Sequence, residues 1–337
     1  MSTYKNIIDQ RDVKLDFLRL LAILECIVSH ALVAEQSLSE PELHWIIMFF
    51  PDTAAIFFMA SGALILERPQ RCDWRYVWHR IWSFLPEFVI FSVLYLILDQ
   101  YYGFGPTERS VSTQLMYMFV TPTWGPGWFI LALIGLYFVT PFLWAWIQTA
   151  TKRQIEIAIA IWLCSTTLPF VMTQTPVTIE NSPFGTIFNF AGYMIVGYYL
   201  RRWAFKKRST IFKTAFFMIT FGVGVIFGYF LGRNGVKWDY VFVLTSGLSI
   251  TVTMVSLLQY GLVLSLPDKW FTNRGGRCIV KISMLSLGIY CWHWLFIHYW
   301  AVPENVNWIL SSVLTFAVCI PLAYASRYIR RLLTPER

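Results

Sequence analysis

The chain of 337 residues is 57% hydrophobic and 18% aromatic, and only 14% of its residues are charged. These proportions exclude an ordinary soluble domain and predict an all-α, polytopic membrane protein. The formal net charge of +8 would suggest nucleic acid as the partner of a soluble chain. In a membrane protein it first reports topology, because cytoplasmic loops collect Lys and Arg. We therefore expect membrane lipids, and no nucleic acid, around this chain.

Apolar windows of about 20 residues predict a bundle of ten transmembrane helices. They cover 14–34, 45–66, 78–98, 127–147, 153–172, 185–201, 211–231, 240–264, 283–300 and 306–326. The polar residues before Lys14 lack a small-residue cleavage site, so we expect the first span to be retained. Residues 1–337 are expected to form a single membrane domain without an appended soluble domain.

The basic residues predict the orientation of these spans. Apart from Arg19, which lies inside the first span, all Lys and Arg residues fall on the side of the N-terminus except Arg109, Arg233 and Lys237. This asymmetry predicts that the N- and C-termini are both cytoplasmic. The long outer connection, Asp99 to Gly127, contains an apolar piece that is too short to span, and we expect it either to dip into the membrane or to pack over a site.

Ionisable residues are costly in a membrane, and the first span carries Asp16, Arg19, Glu25 and His30, of which Arg19 and His30 are the main candidates for function. Eleven residues place them within about 20° of one helix face and about 16 Å apart along it. This spacing suggests a site that is reached from both membrane surfaces. The alternative is that Arg19 extends to the cytoplasmic interface and that His30 is an ordinary polar residue near the outer one.

Two further ionisable residues lie in other spans. His293 is placed at or beyond the membrane midplane, like His30, and could be a general base or form an interhelical hydrogen bond. Glu87 follows Pro86 near the start of the third span, where a carboxylate needs a counter-charge that Arg80 or Arg19 could supply. It belongs either to a structural ion pair or to a binding site.

A basic cluster precedes the third span and consists of Arg68, Arg71, Arg75 and Arg80. Guanidinium groups bind phosphate through paired hydrogen bonds, so this cluster could hold a polyphosphorylated ligand such as coenzyme A. Positive-inside topology and contact with anionic lipid explain most such arginines, and we prefer this explanation for the cluster as a whole. A ligand role is favoured chiefly for Arg80. The six cysteines show neither a CxxC motif nor the Cys/His spacing of common metal sites, and no metal site is predicted.

Four motifs occur in order along the chain. They are Leu15-Asp16-Phe17-Leu18-Arg19 with His30, Ile56 to Leu64 with its Ser61-Gly62 pair, Gly127-Trp128-Phe129-Ile130 with Tyr137 and Pro141, and Ser286 to His293 with its Gly-Ile-Tyr-x-x-His ending. With these motifs the chain resembles the acyltransferase family 3 of integral-membrane proteins. It is most similar to standalone members such as the O-acetyltransferases of bacterial surface polysaccharides.

The resemblance implies an O-acyltransferase, most simply an O-acetyltransferase, in the bacterial cytoplasmic (inner) membrane. The acyl donor would be cytoplasmic acetyl-CoA or another acyl-CoA, used as a substrate with no permanently bound cofactor, and the acceptor a hydroxyl of a surface glycan or of its lipid-linked oligosaccharide precursor. His30 and Arg19 would be catalytic: His30 would act as a general base or as a transient acyl carrier, and Arg19 would stabilise charge on the thioester or on the CoA phosphates. Substrate and acyl-CoA contacts would come from Arg80, Arg75, Ser61, Glu87, His293 and Trp128.

A second function class uses the same intramembrane charges. They could line the path of a multipass transporter or flippase for a lipid-linked saccharide or a small anion. The sequence shows no internal repeat and no matched pair of broken helices, which are typical of transporters. The acyltransferase interpretation is therefore preferred.

Overall fold

The computed structural model describes residues 11–34, 54–68, 70–103, 110–172, 190–204, 215, 217–219, 222, 250–272, 274–301 and 306–333. Within these ranges the regular structure is helical and contains no strand, as predicted. The helices are α1 (Val13–Ala34), α2 (Ala54–Ile65), α3 (Trp74–Trp82), α4 (Leu85–Tyr102), α5 (Val111–Tyr117), α6 (Trp128–Thr149), α7 (Lys152–Met172), α8 (Ala191–Tyr199), α9 (Ile250–Ser265), α10 (Arg274–Ser283), α11 (Ser286–Phe296) and α12 (Trp308–Leu333).

Four helical segments of the described chain are long and apolar enough to cross a membrane. They are Val13–Ala34, Trp74–Tyr102, Gly125–Thr149 and Trp308–Tyr328. A fifth appears if α10 and α11, which meet at 64°, are counted as one span. The chain is thus a multi-pass membrane protein, while ten spans and cytoplasmic termini stay predictions. The seventh predicted span, 211–231, lies almost wholly outside the described residues, and the second, sixth and eighth lie partly outside them.

Two predicted boundaries differ from the structure. The third span, predicted at 78–98, is built from α3 and α4 with a break at Ser83 and Phe84. Pro86 lies in the first turn of α4, where its missing N–H is not needed, and it disfavours helical geometry just before it. The predicted loop before the ninth span contains α10, so that the span predicted at 283–300 begins at a bend between two helices.

Helix α1 occupies the centre of the described bundle. It packs against α2, α9, α10, α11 and α12, and it buries Leu15, Leu18 and Ile23 almost completely. At 22 residues it is about 33 Å long, enough to cross the hydrocarbon core. Residues at the two ends of α1 therefore meet different partners on opposite sides of the membrane.

Helices α2 and α8 approach each other through reciprocal glycines. A Cβ atom on Gly62 would lie 2.1 Å from the carbonyl oxygen of Met194, and one on Gly197 would lie 2.1 Å from that of Met59. No side chain fits at either position, so small residues here allow backbone-to-backbone packing in lipid. The close contact between α2 and α8 thus explains why the Ser61-Gly62 motif contains a glycine.

Candidate active site

The outer half of α1 and the middle of α11 bring two histidines together. The Nδ1 atom of His30 lies 2.8 Å from Nε2 of His293, and the two rings stack with centroids 5.0 Å apart at 16°. His293 is fully buried, while His30 keeps partial exposure. The sequence left His293 between a general base and an interhelical hydrogen bond; the hydrogen bond is present, and its partner is His30.

The backbone around His293 fixes where the protons of this pair lie. The Nδ1 atom of His293 is 2.5 Å from the carbonyl oxygen of Tyr290, and a carbonyl can only accept. A neutral imidazole carries one N–H, so Nε2 of His293 is an acceptor and receives a hydrogen bond from Nδ1–H of His30. The Nε2 atom of His30 then keeps its lone pair. This is the arrangement of a base held in position by a second group.

Aromatic residues enclose the pair. The ring of Trp294 meets His30 edge-on at 5.5 Å, and the ring of Tyr290 lies 5.3 Å from that of His293. The hydroxyl of Tyr290 donates to the carbonyl oxygen of Pro126, and Phe129 packs on the Tyr290 ring at 5.1 Å. Tyr290 of the late motif and Phe129 of the central motif therefore form one wall beside the histidines, although the two motifs are far apart in sequence.

Trp128 lies outside this wall. Its ring stacks on Phe190 with centroids 5.7 Å apart and meets Phe129 at 6.3 Å. Its connection to the histidines thus runs through Phe129 and Tyr290.

A third ligand-type side chain adjoins the histidines. The Sγ atom of Cys26 lies 3.7 Å from Nδ1 of His30 and 4.0 Å from Nε2 of His293. Cys26 is not among the site residues predicted from the sequence, although a Cys and a His four residues apart lie on the same face of a helix. That spacing indicates that Cys26 lies beside His30. The proximity of His293 to both residues follows only from the packing of α11 on α1.

The inner half of α1 carries a charge cluster around Asp16, which is 1% exposed. Its carboxylate accepts hydrogen bonds from Nε of Arg11 at 2.7 Å and from the hydroxyl of Ser283 at 2.9 Å. The Nη1 atom of Arg19 approaches the same carboxylate only to 3.6 Å. Among the described residues this is the single ion pair of Arg19, so Arg11 takes the shorter bonds and most guanidinium donors of Arg19 are available to a ligand.

Arg80 joins Arg19 at this end of the bundle. Arg19, Arg80 and Tyr137 lie close enough to interact electrostatically. The Nε atom of Arg80 donates to the hydroxyl of Tyr76 at 3.0 Å, and the guanidinium of Arg68 lies over the ring of Tyr76 at 4.2 Å. Three arginines from separate segments thus form one positively charged patch, the arginine patch, comprising Arg19, Arg68 and Arg80.

The remaining predicted site residues are Arg75, Glu87 and Ser61, and we compare their positions with those of the histidine pair and the arginine patch. Arg75 is exposed on α3, about 140° around the helix from Arg80, and has no ion pair among the described residues. Glu87 is half-buried and lies within electrostatic range of Cys291, two residues before His293. Ser61 is half-buried on α2, beside the close contact of Gly62 with α8. The structure therefore brings together His30 with His293, and Arg19 with Arg80, but not all eight residues.

A cavity of about 270 Å³ opens beside the histidines. Polar and aromatic side chains line it, namely Asp99, Gln114, Tyr117, Thr121, Thr123, Trp124, Trp294 and His298. Trp294 separates it from His30, because its ring contacts His30 on one side and stacks on His298 at 4.8 Å. Much of the lining comes from the connection between α4 and α6, and both predicted arrangements of this connection, dipping into the membrane or packing over a site, stay predictions.

A family model described as an acyltransferase domain matches residues 12–328 of the chain. The match covers all four motifs, and the chain belongs to the acyltransferase family 3. It is therefore a membrane acyltransferase. Comparisons with curated proteins and with solved structures give no match.

Proposed function

We propose that this acyltransferase moves an acyl group, most simply acetyl, from acyl-CoA to a hydroxyl of a surface polysaccharide or of its lipid-linked precursor in the bacterial inner membrane. The observation that carries the proposal is the His30–His293 hydrogen bond, anchored by the Tyr290 carbonyl. It leaves Nε2 of His30 as a base in a largely apolar surrounding, the group that activation of a hydroxyl requires.

The chemistry follows from this arrangement. Nε2 of His30 takes the proton of the acceptor hydroxyl, while the oxygen of that hydroxyl attacks the thioester carbonyl carbon. The C–S bond then breaks, the ester forms, and the CoA sulfur leaves with the proton that His30 returns. While His30 is protonated, its Nδ1–H still donates to the lone pair on His293, which stabilises the imidazolium. His293 is thus a positioning residue that acts through His30.

The donor would be held by the arginine patch. Its three guanidinium groups match the phosphates of CoA. Arg19 and His30 are eleven residues apart on α1, or about 16 Å along the helix, so the long pantetheine arm would have to run from the patch toward the histidines. We therefore assign Arg19 to the CoA phosphates rather than to the thioester. If the patch faces the cytoplasm, as predicted, donor and acceptor enter from opposite sides.

The acceptor would occupy the cavity beside Trp294. Sugars present apolar ring faces and many hydroxyls, and the lining offers Trp and Tyr rings next to Asp, Gln and Thr side chains. Movement of the Trp294 ring would open the cavity to His30. Ser61, Glu87 and Trp128 then support the walls of the site, and no permanently bound cofactor is needed.

Purified protein in lipid discs, supplied with acetyl-CoA, tests this proposal through release of the free CoA thiol. We expect wild type to bind acetyl-CoA and to release thiol slowly, because water takes the place of the acceptor hydroxyl and the acetyl group leaves as acetate. His30→Ala should bind acetyl-CoA equally but release thiol only at the background rate. A wild-type protein that neither binds nor consumes acetyl-CoA would exclude acetyl-CoA as donor.

A further inference from the structure

The cluster of Cys26, His30 and His293 has the composition of a metal site. Cys26 and His30 lie one turn apart on α1, His293 comes from α11, and the three ligand atoms all lie within 4.8 Å of one another. Cys26 is 7% exposed and His293 is fully buried. His30 is partly exposed and gives an ion a route to the other two.

The distances within the cluster fit zinc closely. Tetrahedral Zn²⁺ with ordinary bond lengths separates two nitrogen ligands by about 3.3 Å and a sulfur from a nitrogen by about 3.6 Å. The sulfur lies 3.7 Å and 4.0 Å from the two nitrogens, and the nitrogens are 2.8 Å apart. An opening of the imidazole pair by about 0.5 Å would convert their hydrogen bond into two metal bonds.

The surroundings of His293 also suit a metal ligand. Zinc-binding histidines usually donate their second ring N–H to a carbonyl or carboxylate, which fixes the tautomer. His293 already does so through Nδ1 and the Tyr290 carbonyl, leaving Nε2 toward the cluster. One thiolate and two imidazoles are a donor set that zinc prefers over Mg²⁺ or Ca²⁺.

We propose that Cys26, His30 and His293 form a reversible Zn²⁺ site whose occupation switches the acyltransferase off. Binding releases the thiol proton of Cys26 to solvent and joins the metal to Nδ1 of His30. The proton formerly on that Nδ1 moves to Nε2, so Nε2 no longer has the lone pair that accepts the hydroxyl proton. Metal binding stands independently of the proposed function, whereas inhibition depends on His30 being the base.

Binding is tested with Co²⁺ as a spectroscopic probe on purified protein in lipid discs. Wild type should show a thiolate-to-cobalt charge-transfer band together with the strong visible bands of four-coordinate cobalt, and excess Zn²⁺ should remove both. Cys26→Ala and the size-matched Cys26→Ser should lose the charge-transfer band. Cys72→Ala is the control, because Cys72 lies near the arginine patch and burial raises the pKa of its thiol to about 11. Absence of the band in wild type, or its loss in Cys72→Ala alone, would overturn the site.

Inhibition is tested by acetyl-CoA turnover in buffered Zn²⁺. Loss of a group that only hydrogen-bonds to a metal ligand costs about 10–100-fold in metal affinity. Removal of the thiolate, itself a ligand, should therefore raise the half-inhibiting Zn²⁺ concentration by about 100-fold or more. Inhibition of each protein is measured relative to its own turnover without metal. Equal sensitivity of wild type and Cys26→Ala would contradict the switch even if cobalt binds, and the proposed function would be unaffected.

Discussion

The stacked rings of His30 and His293 join residues 263 positions apart in the chain through one hydrogen bond of 2.8 Å. His293 in turn is fixed by the carbonyl of Tyr290 three residues earlier. The hydrogen bonds run from His30 to the buried His293 and from His293 to the Tyr290 carbonyl. This chain gives each proton a defined place and leaves Nε2 of His30 as the basic nitrogen. Proton position and ring orientation are thus both set by helix packing.

The positioning role of His293 predicts a graded set of variants. His293→Leu removes the acceptor for Nδ1–H of His30, and kcat for acetyl-CoA turnover should fall by about 100-fold. KM for acetyl-CoA should not change, because the arginine patch is at the other end of α1. His293→Gln should recover part of kcat, since its amide oxygen can accept the same hydrogen bond. Equal losses in the Leu and Gln variants, at equal amounts of folded protein, would argue against positioning.

The arginine patch predicts a KM effect. A hydrogen bond to a charged group contributes about 1.5–3 kcal/mol, so Arg80→Gln and Arg19→Gln should each raise KM for acetyl-CoA about 10–100-fold. Arg75→Gln is the matched control on the same helix and should have little effect. With acetyl-pantetheine, which lacks the nucleotide phosphates, wild type and the variants should behave alike. A defect of the same size on both substrates would show that these arginines do not read the phosphates.

The glycine contact of α2 with α8 predicts a stability effect. Gly62→Ala and Gly197→Ala place a Cβ atom 2.1 Å from a backbone oxygen and must push the helices apart, which typically costs about 1–3 kcal/mol. The unfolding temperature should drop by several degrees. A thiol-reactive dye can follow unfolding, because Cys72, Cys291 and Cys319 are buried. Gly135→Ala, with nothing within 4 Å of its Cβ position, should unfold like wild type.

A substitution in the cavity is expected to weaken binding of the acceptor without changing binding of the acyl donor. Asp99→Asn keeps the size of the side chain but removes a charge that can accept sugar hydroxyls, so the acceptor concentration for half-maximal transfer should rise about tenfold. KM for acetyl-CoA should stay at the wild-type value. Tyr299 donates a hydrogen bond to Asp99, and Tyr299→Phe is the control for a purely structural role. If the Phe variant shows the same acceptor defect, Asp99 acts by holding Tyr299.

Sequence patterns predicted the class of fold and most ingredients of the site. The apolar runs identified α1, α6 and α7 nearly to their ends, and the start of α12, because long apolar segments have few alternatives in lipid. Arg19, His30, Arg80 and His293 stood out because ionisable side chains are costly there. The same reasoning missed α10, since its amphipathic pattern is too polar for a span.

Pairings between distant segments could not be predicted in this way. Nothing in the sequence specifies that α11 packs on α1 with His293 at the level of His30, or that the Tyr290 carbonyl orients it. From the sequence, Arg80 or Arg19 could supply a counter-charge to Glu87, and the sequence did not indicate that the carboxylate of Asp16 lies beside Arg19. The sequence favours a ligand role chiefly for Arg80, and the helical rotation of about 140° between Arg75 and Arg80 gives a physical reason to distinguish them.

The most direct test of the central claim is transfer of radiolabelled acetyl from acetyl-CoA in inner-membrane vesicles that contain lipid-linked oligosaccharide. Vesicles with wild type, His30→Ala and His30→Gln would be compared at equal protein levels, and label would be counted as base-labile ester in the glycan fraction. We predict labelled glycan with wild type and at least about 100-fold less with either variant. Wild-type levels of labelled ester from His30→Ala would show that His30 is not the base.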